Sequence, residues 1–84
     1  MTYSVLIRKS AQKVLSRIPS SFRDRIIEAI GSLATTPRPH GAKKLSGRDA
    51  WRIRVADYRI IYEIHDERLV ILVVAIGHRG NVYR

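Results

Sequence analysis

Trp51-Arg52-Ile53-Arg54-Val55-Ala56-Asp57-Tyr58-Arg59-Ile60-Ile61-Tyr62 reads as two β-strands joined by a tight turn at Ala56-Asp57. Trp51, Ile53 and Val55 alternate with Arg52 and Arg54, and period-two alternation sends the two sets to opposite faces. A two-residue loop at Ala56-Asp57 sets Arg54 opposite Arg59 and Arg52 opposite Ile61. Three arginines then crowd one face of a small sheet. Like charges directly opposite each other destabilise a strand pair. A sequence that keeps them expects an anion on that face, and phosphate is the foremost candidate.

Downstream, Tyr58 to His65 completes the second strand of this hairpin, and Leu69 to Ile76 forms a third, with Asp66-Glu67 as the turn. Leu69 to Ile76 is apolar on both faces and is expected to be the central strand. Upstream, Thr35 to Asp49 carries two Pro, two Gly and four Lys or Arg, and reads as a loop anchored by Leu45. Phe22, Ile26, Ile30 and Leu33, joined by Ile27 and Ala34, form the apolar stripe of an amphipathic helix, with Ser21 and Asp24 in capping-box spacing. Ala11, Val14, Leu15 and Ile18 form the stripe of a shorter helix, capped by Ser10 and ended by Pro19. Tyr3 to Arg8 is a first strand. Neither helical stripe can be buried alone, so the two helices should pack as a hairpin on the sheet.

The chain has 84 residues, room for one domain over 1–84. A chain of this size buries roughly 60% of its unfolded surface, so a shallow, open site is expected rather than a deep cavity. Sixteen Lys and Arg against seven Asp and Glu give a net charge of +9. Arg outnumbers Lys twelve to four. That balance favours polyanions, and guanidinium suits bidentate phosphate contact and stacking on bases, which points to nucleic acid. There is no Cys, hence no disulfide and no Cys-based metal site. The N-terminal apolar run is too short for a signal peptide, and Leu69 to Ile76 falls far below the ~20 residues of a membrane span. A cytoplasmic protein without membrane association is expected.

The hairpin motif, the two helical stripes, the segment Leu33 to Leu45 with Pro37 and Lys43-Lys44-Leu45, and the closing Gly77-His78-Arg79-Gly80-Asn81-Val82-Tyr83 together resemble the RelE/ParE superfamily of bacterial toxins. The resemblance covers nearly the whole chain. It implies an α+β fold, with an N-terminal two-helix hairpin packed on a twisted, mostly antiparallel four-stranded sheet related to microbial ribonucleases. It implies a cognate antitoxin protein as partner, with operator DNA bound only through the antitoxin complex. In the RelE branch it implies ribosome-dependent cleavage of messenger RNA in the A site. In the ParE branch it implies inhibition of DNA gyrase by binding.

Carried over position by position, the resemblance makes Arg52 and Arg54 substrate-binding residues, where lysine is common in the family. Arg59 matches the arginine that holds the scissile phosphate. Arg79 matches the group that protonates the leaving oxygen, and Tyr83 the tyrosine that helps activate the 2′-hydroxyl. Ala56 departs from the pattern, because glycine is frequent at that turn position.

The chemistry is coherent on its own terms. With the 2′-hydroxyl as nucleophile, RNA cleavage needs no metal and no cofactor. It needs a base, cations for the phosphorane and a proton donor for the 5′-oxygen. A phenol is a poor base at neutral pH, and surrounding arginines favour its phenolate. Arginine is a reluctant acid, so Arg79 would act more by charge than by proton release. His78 stands beside it in sequence as a candidate proton shuttle and RNA contact.

Plainer readings stand beside these. The arginines could form a solvated strand face paired with Glu63, and Tyr83 could be a lid on the core. His78 could simply order its turn, and Lys43 and Lys44 could hold RNA or be solvated. His40 and His65 read as ordinary surface residues, and no histidine spacing suggests a metal. Trp51, Tyr58 and Tyr62 read as core. The leading expectation is a metal-independent endoribonuclease toxin. A gyrase-binding toxin is the alternative, and a degenerate toxin serving only in its antitoxin complex is a third.

Overall fold

The computed structural model describes residues 2–78. The chain runs β1 (Ser4–Ile7), α1 (Lys9–Arg17), α2 (Ser20–Ser32), β2 (Lys43–Lys44), β3 (Trp51–Val55), β4 (Tyr58–His65), β5 (Val70–His78). The strands form one five-stranded sheet in the order β1-β5-β4-β3-β2. β1 pairs parallel to β5, and the other three pairings are antiparallel.

Two features correct the expectation of a helix-led, four-stranded sheet. The strand read from Tyr3 to Arg8 is present as β1, so the helix pair does not lead the chain but follows that strand and forms a crossover after it. Parallel neighbours require such a crossover, which makes the sheet mixed. The fifth strand, β2, comes from the segment expected to be loop. Two lysines have no apolar alternation to announce a strand. Their pairing is imposed from outside, by Lys43 opposite Arg52 and Lys44 opposite Trp51. The Leu45 amide donates to the Ala50 carbonyl at 2.9 Å and closes this edge.

The helices cover one face. Ala11, Leu15 and Ile18 meet Ile26, Ile30 and Leu33 over Ile53, Ile60, Tyr62, Ile71, Val73 and Ile76. The expected stripes are wider than what is buried, since Val14, Phe22 and Ile27 remain exposed. Neither expected serine cap forms. Arg8 and Pro19 occupy the N-cap positions, with no side-chain hydrogen bond at either. Tyr62 is wholly buried and its hydroxyl donates to the Pro37 carbonyl at 2.7 Å, holding the long loop against the sheet. The opposite face carries a small cluster of Ala50, Ile61 and Val74, with Leu45 packed on it as expected.

The two central turns are strained in a defined way. Val55 pairs with Tyr58, leaving a two-residue loop, and Ala56 has φ +54°. Positive φ at the first position of a two-residue hairpin loop is ordinarily occupied by glycine, asparagine or aspartate. The β4–β5 connection is longer than the expected two residues, spanning residues 66–69, with Leu69 at φ +55°.

β5 contains a bulge. Val73 opposes Tyr62 and Ala75 opposes Ile61, so Val74 is an extra residue. A bulge reverses which face the following residues take. Ile71 and Val73 face the helices before it, and Ile76 does so after it.

Candidate functional site

The site is built on the face away from the helices, by cross-strand register. Arg54 lies opposite Arg59, and Arg52 opposite Ile61. Lys43 lies opposite Arg52. Residues directly opposite in an antiparallel pair share a face, so Lys43, Arg52, Arg54 and Arg59 form one basic surface across β2, β3 and β4. Arg59 has Gly77 as its β5 neighbour.

These cations sit at different depths. Arg52 is only 7% exposed, Arg59 is half-buried, and Arg54 and Lys43 are exposed. Among the described residues, no carboxylate lies within 4.0 Å of Arg52 or Arg54. Glu63 and Asp66 are engaged elsewhere. Glu63, a potential partner on sequence grounds, lies 2.9 Å from His65. Asp66 pairs with Arg38 at 3.0 Å and accepts a hydrogen bond from the Tyr3 hydroxyl. Both contacts hold the Asp66 carboxyl below its ordinary range, the Tyr3 bond first and Arg38 second.

Two concavities open on this surface. One of about 150 Å³ is lined by Arg54, Ala56, Asp57, Tyr58 and Arg59. The second, about 340 Å³, is lined by His40, Gly41, Lys43, Arg52, Ile53 and Arg54. Arg54 belongs to both. Such a surface attracts an anion electrostatically and can hold a phosphoryl group with guanidinium donors as charge builds on its oxygens.

Other expected members are placed differently. His78 lies opposite Tyr58 on the helix-covered side, with the two rings 4.9 Å apart, and its Nε2 is 4.0 Å from Asp57 Oδ2. It is therefore on the other face from Arg59, because the bulge at Val74 reverses the alternation that would have brought it round. Lys43 and Lys44 also separate. Lys44 shares the face of Trp51 and lies 4.0 Å from Asp49. Arg79 and Tyr83 lie outside the described residues.

His40, read from sequence as an ordinary surface residue, lines the larger concavity. The one local signal was the glycine after it, which takes φ +95° and turns the chain toward β2. Among the described residues there is no cluster of three or more His, Asp or Glu fit to hold a metal ion. No described helix is long and apolar enough to cross a membrane.

Comparison with known proteins agrees with this architecture. The chain is 28% identical to toxin RelG of Mycobacterium tuberculosis, covering 100% of this chain and 99% of that one. It is 25% identical to the mRNA interferase toxin RelE of Escherichia coli K12, covering 99% and 92%. Among solved structures it superposes on the archaeal RelE–RelB complex from Pyrococcus horikoshii with a TM-score of 0.82 at 31% identity, covering 98% of this chain and 100% of that one. The sequence profile of the ParE toxin of type II toxin–antitoxin systems matches residues 5–83. With a profile match over nearly its whole length and RelE toxins as its sequence and structural relatives, the chain belongs to the RelE/ParE family of type II toxin–antitoxin toxins.

Proposed function

We propose that this toxin is a metal-independent endoribonuclease that cleaves messenger RNA in the ribosomal A site and so arrests translation in the cytoplasm. The observation that carries the reading is the Arg54–Arg59 pair, two like charges on one rung beside a glycine, at a shallow concavity that Ala56, Asp57 and Tyr58 also line. The substrate 2′-oxygen attacks phosphorus and the 5′-oxygen leaves, giving a 2′,3′-cyclic phosphate. Arg52 and Arg54 bind and polarise the phosphates. Arg59 stabilises the phosphorane, where fixed cations act most strongly on developing charge. Arg79 assists the leaving oxygen and Tyr83 orients or deprotonates the 2′-hydroxyl.

A RelB-like antitoxin is the expected protein partner, by analogy with the archaeal RelE–RelB complex on which the chain superposes. Operator DNA is engaged only through that complex. Binding to RNA or ribosomes weakens steeply as salt rises, because phosphate neutralisation releases counterions.

Primer extension on a defined messenger in a translation extract tests the reading, with wild type beside Arg59→Ala and Arg79→Ala. Codon-phased cuts that need ribosomes and vanish in both variants are the expected result. An intact messenger in the presence of active toxin overturns it. The match to the ParE profile favours inhibition of DNA gyrase as the second reading, for which loss of supercoiling in vitro is the test.

A further inference from the structure

We infer that the concavity walled by His40, Lys43 and Arg52 is a second anion subsite, one that takes the phosphate flanking the reacting one in the RNA strand. The inference rests on the nuclease reading for its ligand and goes beyond it in assigning His40 and in giving Lys43 a defined phosphate. The reacting phosphate is assigned to the smaller concavity between Arg54 and Arg59. The larger one, about 340 Å³, has a lining with no acidic residue.

Its positive charge is built in at a structural cost. Lys43 opposes Arg52 on the β2–β3 rung, just as Arg54 opposes Arg59 on the next pair of strands. Each like-charged rung disfavours its strand pairing. The β2 strand consists of these two lysines alone and has little other pairing to offset the repulsion. Arg52 is buried, and no carboxylate lies within 4.0 Å of it among the described residues. No buried side-chain nitrogen among the described residues lacks a hydrogen-bond partner, so the Arg52 guanidinium reaches the surface over a buried stem, and the open side of this cavity is where an anion can meet it.

Geometry ties the two concavities into one track. Arg52 and Arg54 are two residues apart on β3, a step of about 6.7 Å. That step is comparable with the spacing of successive phosphates in an extended single strand. Arg54 lines both concavities and stands between the two phosphates. Gly41 at φ +95° turns the loop so that His40 walls the far end.

The test compares two non-cleavable 2′-O-methyl oligonucleotides, a dinucleotide with one internal phosphate and a trinucleotide with two, by NMR titration at low salt. In the wild type the trinucleotide binds more tightly. His40→Ala and Lys43→Ala are expected to lower the trinucleotide-to-dinucleotide affinity ratio at least threefold. Lys43→Arg retains it, and Arg59→Ala weakens both ligands together. For Lys43→Ala the salt slope of trinucleotide binding falls by about one. A ratio that stays at its wild-type value in both alanine variants overturns the subsite. If the ratio falls but wild type cuts no messenger in the extract, the nuclease reading fails and the subsite stands. If wild type cuts and the ratio does not move, the subsite alone fails.

Discussion

Arg54 and Arg59 face each other across the β3–β4 hairpin, so the two strands that form the centre of the site meet on a rung of like charge. The hairpin holds because Ile53–Ile60 and Trp51–Tyr62, on the other side of the same strands, are packed under the helices. Stability and function therefore pull in opposite directions at this rung. Arg54→Thr is expected to raise stability to urea by about 0.5 kcal/mol, by removing the repulsion and adding a β-branched residue. The same variant is expected to lose about a hundredfold in messenger cleavage, the loss typical of removing one transition-state donor. Equal cleavage by the variant and wild type in the extract would remove Arg54 from the site.

At the tip of that hairpin, Ala56 holds φ +54°. A side chain in the left-handed region costs roughly 1 kcal/mol, partly offset by the larger unfolded-state entropy of glycine. Ala56→Gly is expected to raise the urea midpoint modestly, by up to about 1 kcal/mol of stability, with the denaturant slope unchanged. A lower midpoint would show that the alanine methyl makes contacts outweighing its strain.

The Tyr62 hydroxyl couples the long loop to the sheet through the Pro37 carbonyl. Tyr62→Phe is expected to cost about 1 kcal/mol by leaving that carbonyl without its partner, with hydrogen exchange accelerating first in the loop that carries His40. Burial pushes the Tyr62 phenol up to about 12, against the nearby charge of Arg38. Between its ordinary value and about 12 the folded state holds a proton that the unfolded chain has released. Stability therefore falls as pH rises through that window, and Tyr62→Phe flattens the fall. Identical alkaline melting curves for the two proteins would contradict this.

Asp66, in the β4–β5 connection, accepts from Tyr3 just before β1 and reaches Arg38 in the long loop. Its carboxyl is held below the ordinary range, so its stabilising effect is present above that range and is lost as pH falls through the depressed value. Arg38 also lies over the Trp51 ring, 5.4 Å from the centroid, so the acid side is linked to β3. Asp66→Asn is expected to leave a smaller drop in melting temperature between neutral pH and acid than wild type shows. An unchanged drop would mean that the contact is too solvent-screened to matter.

Where the physics is local, the residue pattern alone sets the outcome. Period-two alternation through residues 51–62, broken by a two-residue turn, was enough to set Arg54 against Arg59 and Arg52 against Ile61, as the structure has them. The 3.6-residue stripes located both helices, although not which members of each stripe stay exposed, such as Val14 and Ile27. The helix starts went astray because serine was available as a cap at positions where the backbone instead begins at Lys9 and after Pro19.

Tertiary contacts settled what local pattern leaves open. The parallel pairing of β1 with β5 joins residues more than sixty positions apart. The β2 strand exists because β3 offers it an edge, since its two lysines carry no strand signal of their own. The bulge at Val74 is hidden within a run that is apolar on both faces, where either phase buries a hydrophobic residue. Periodicity cannot register an extra residue in such a run, and that one residue carries His78 to the side of Tyr58, away from Arg59. His40 enters the basic surface for a similar reason. A loop's path depends on what it packs against, and here a buried tyrosine hydroxyl at Pro37 and a left-handed Gly41 direct it.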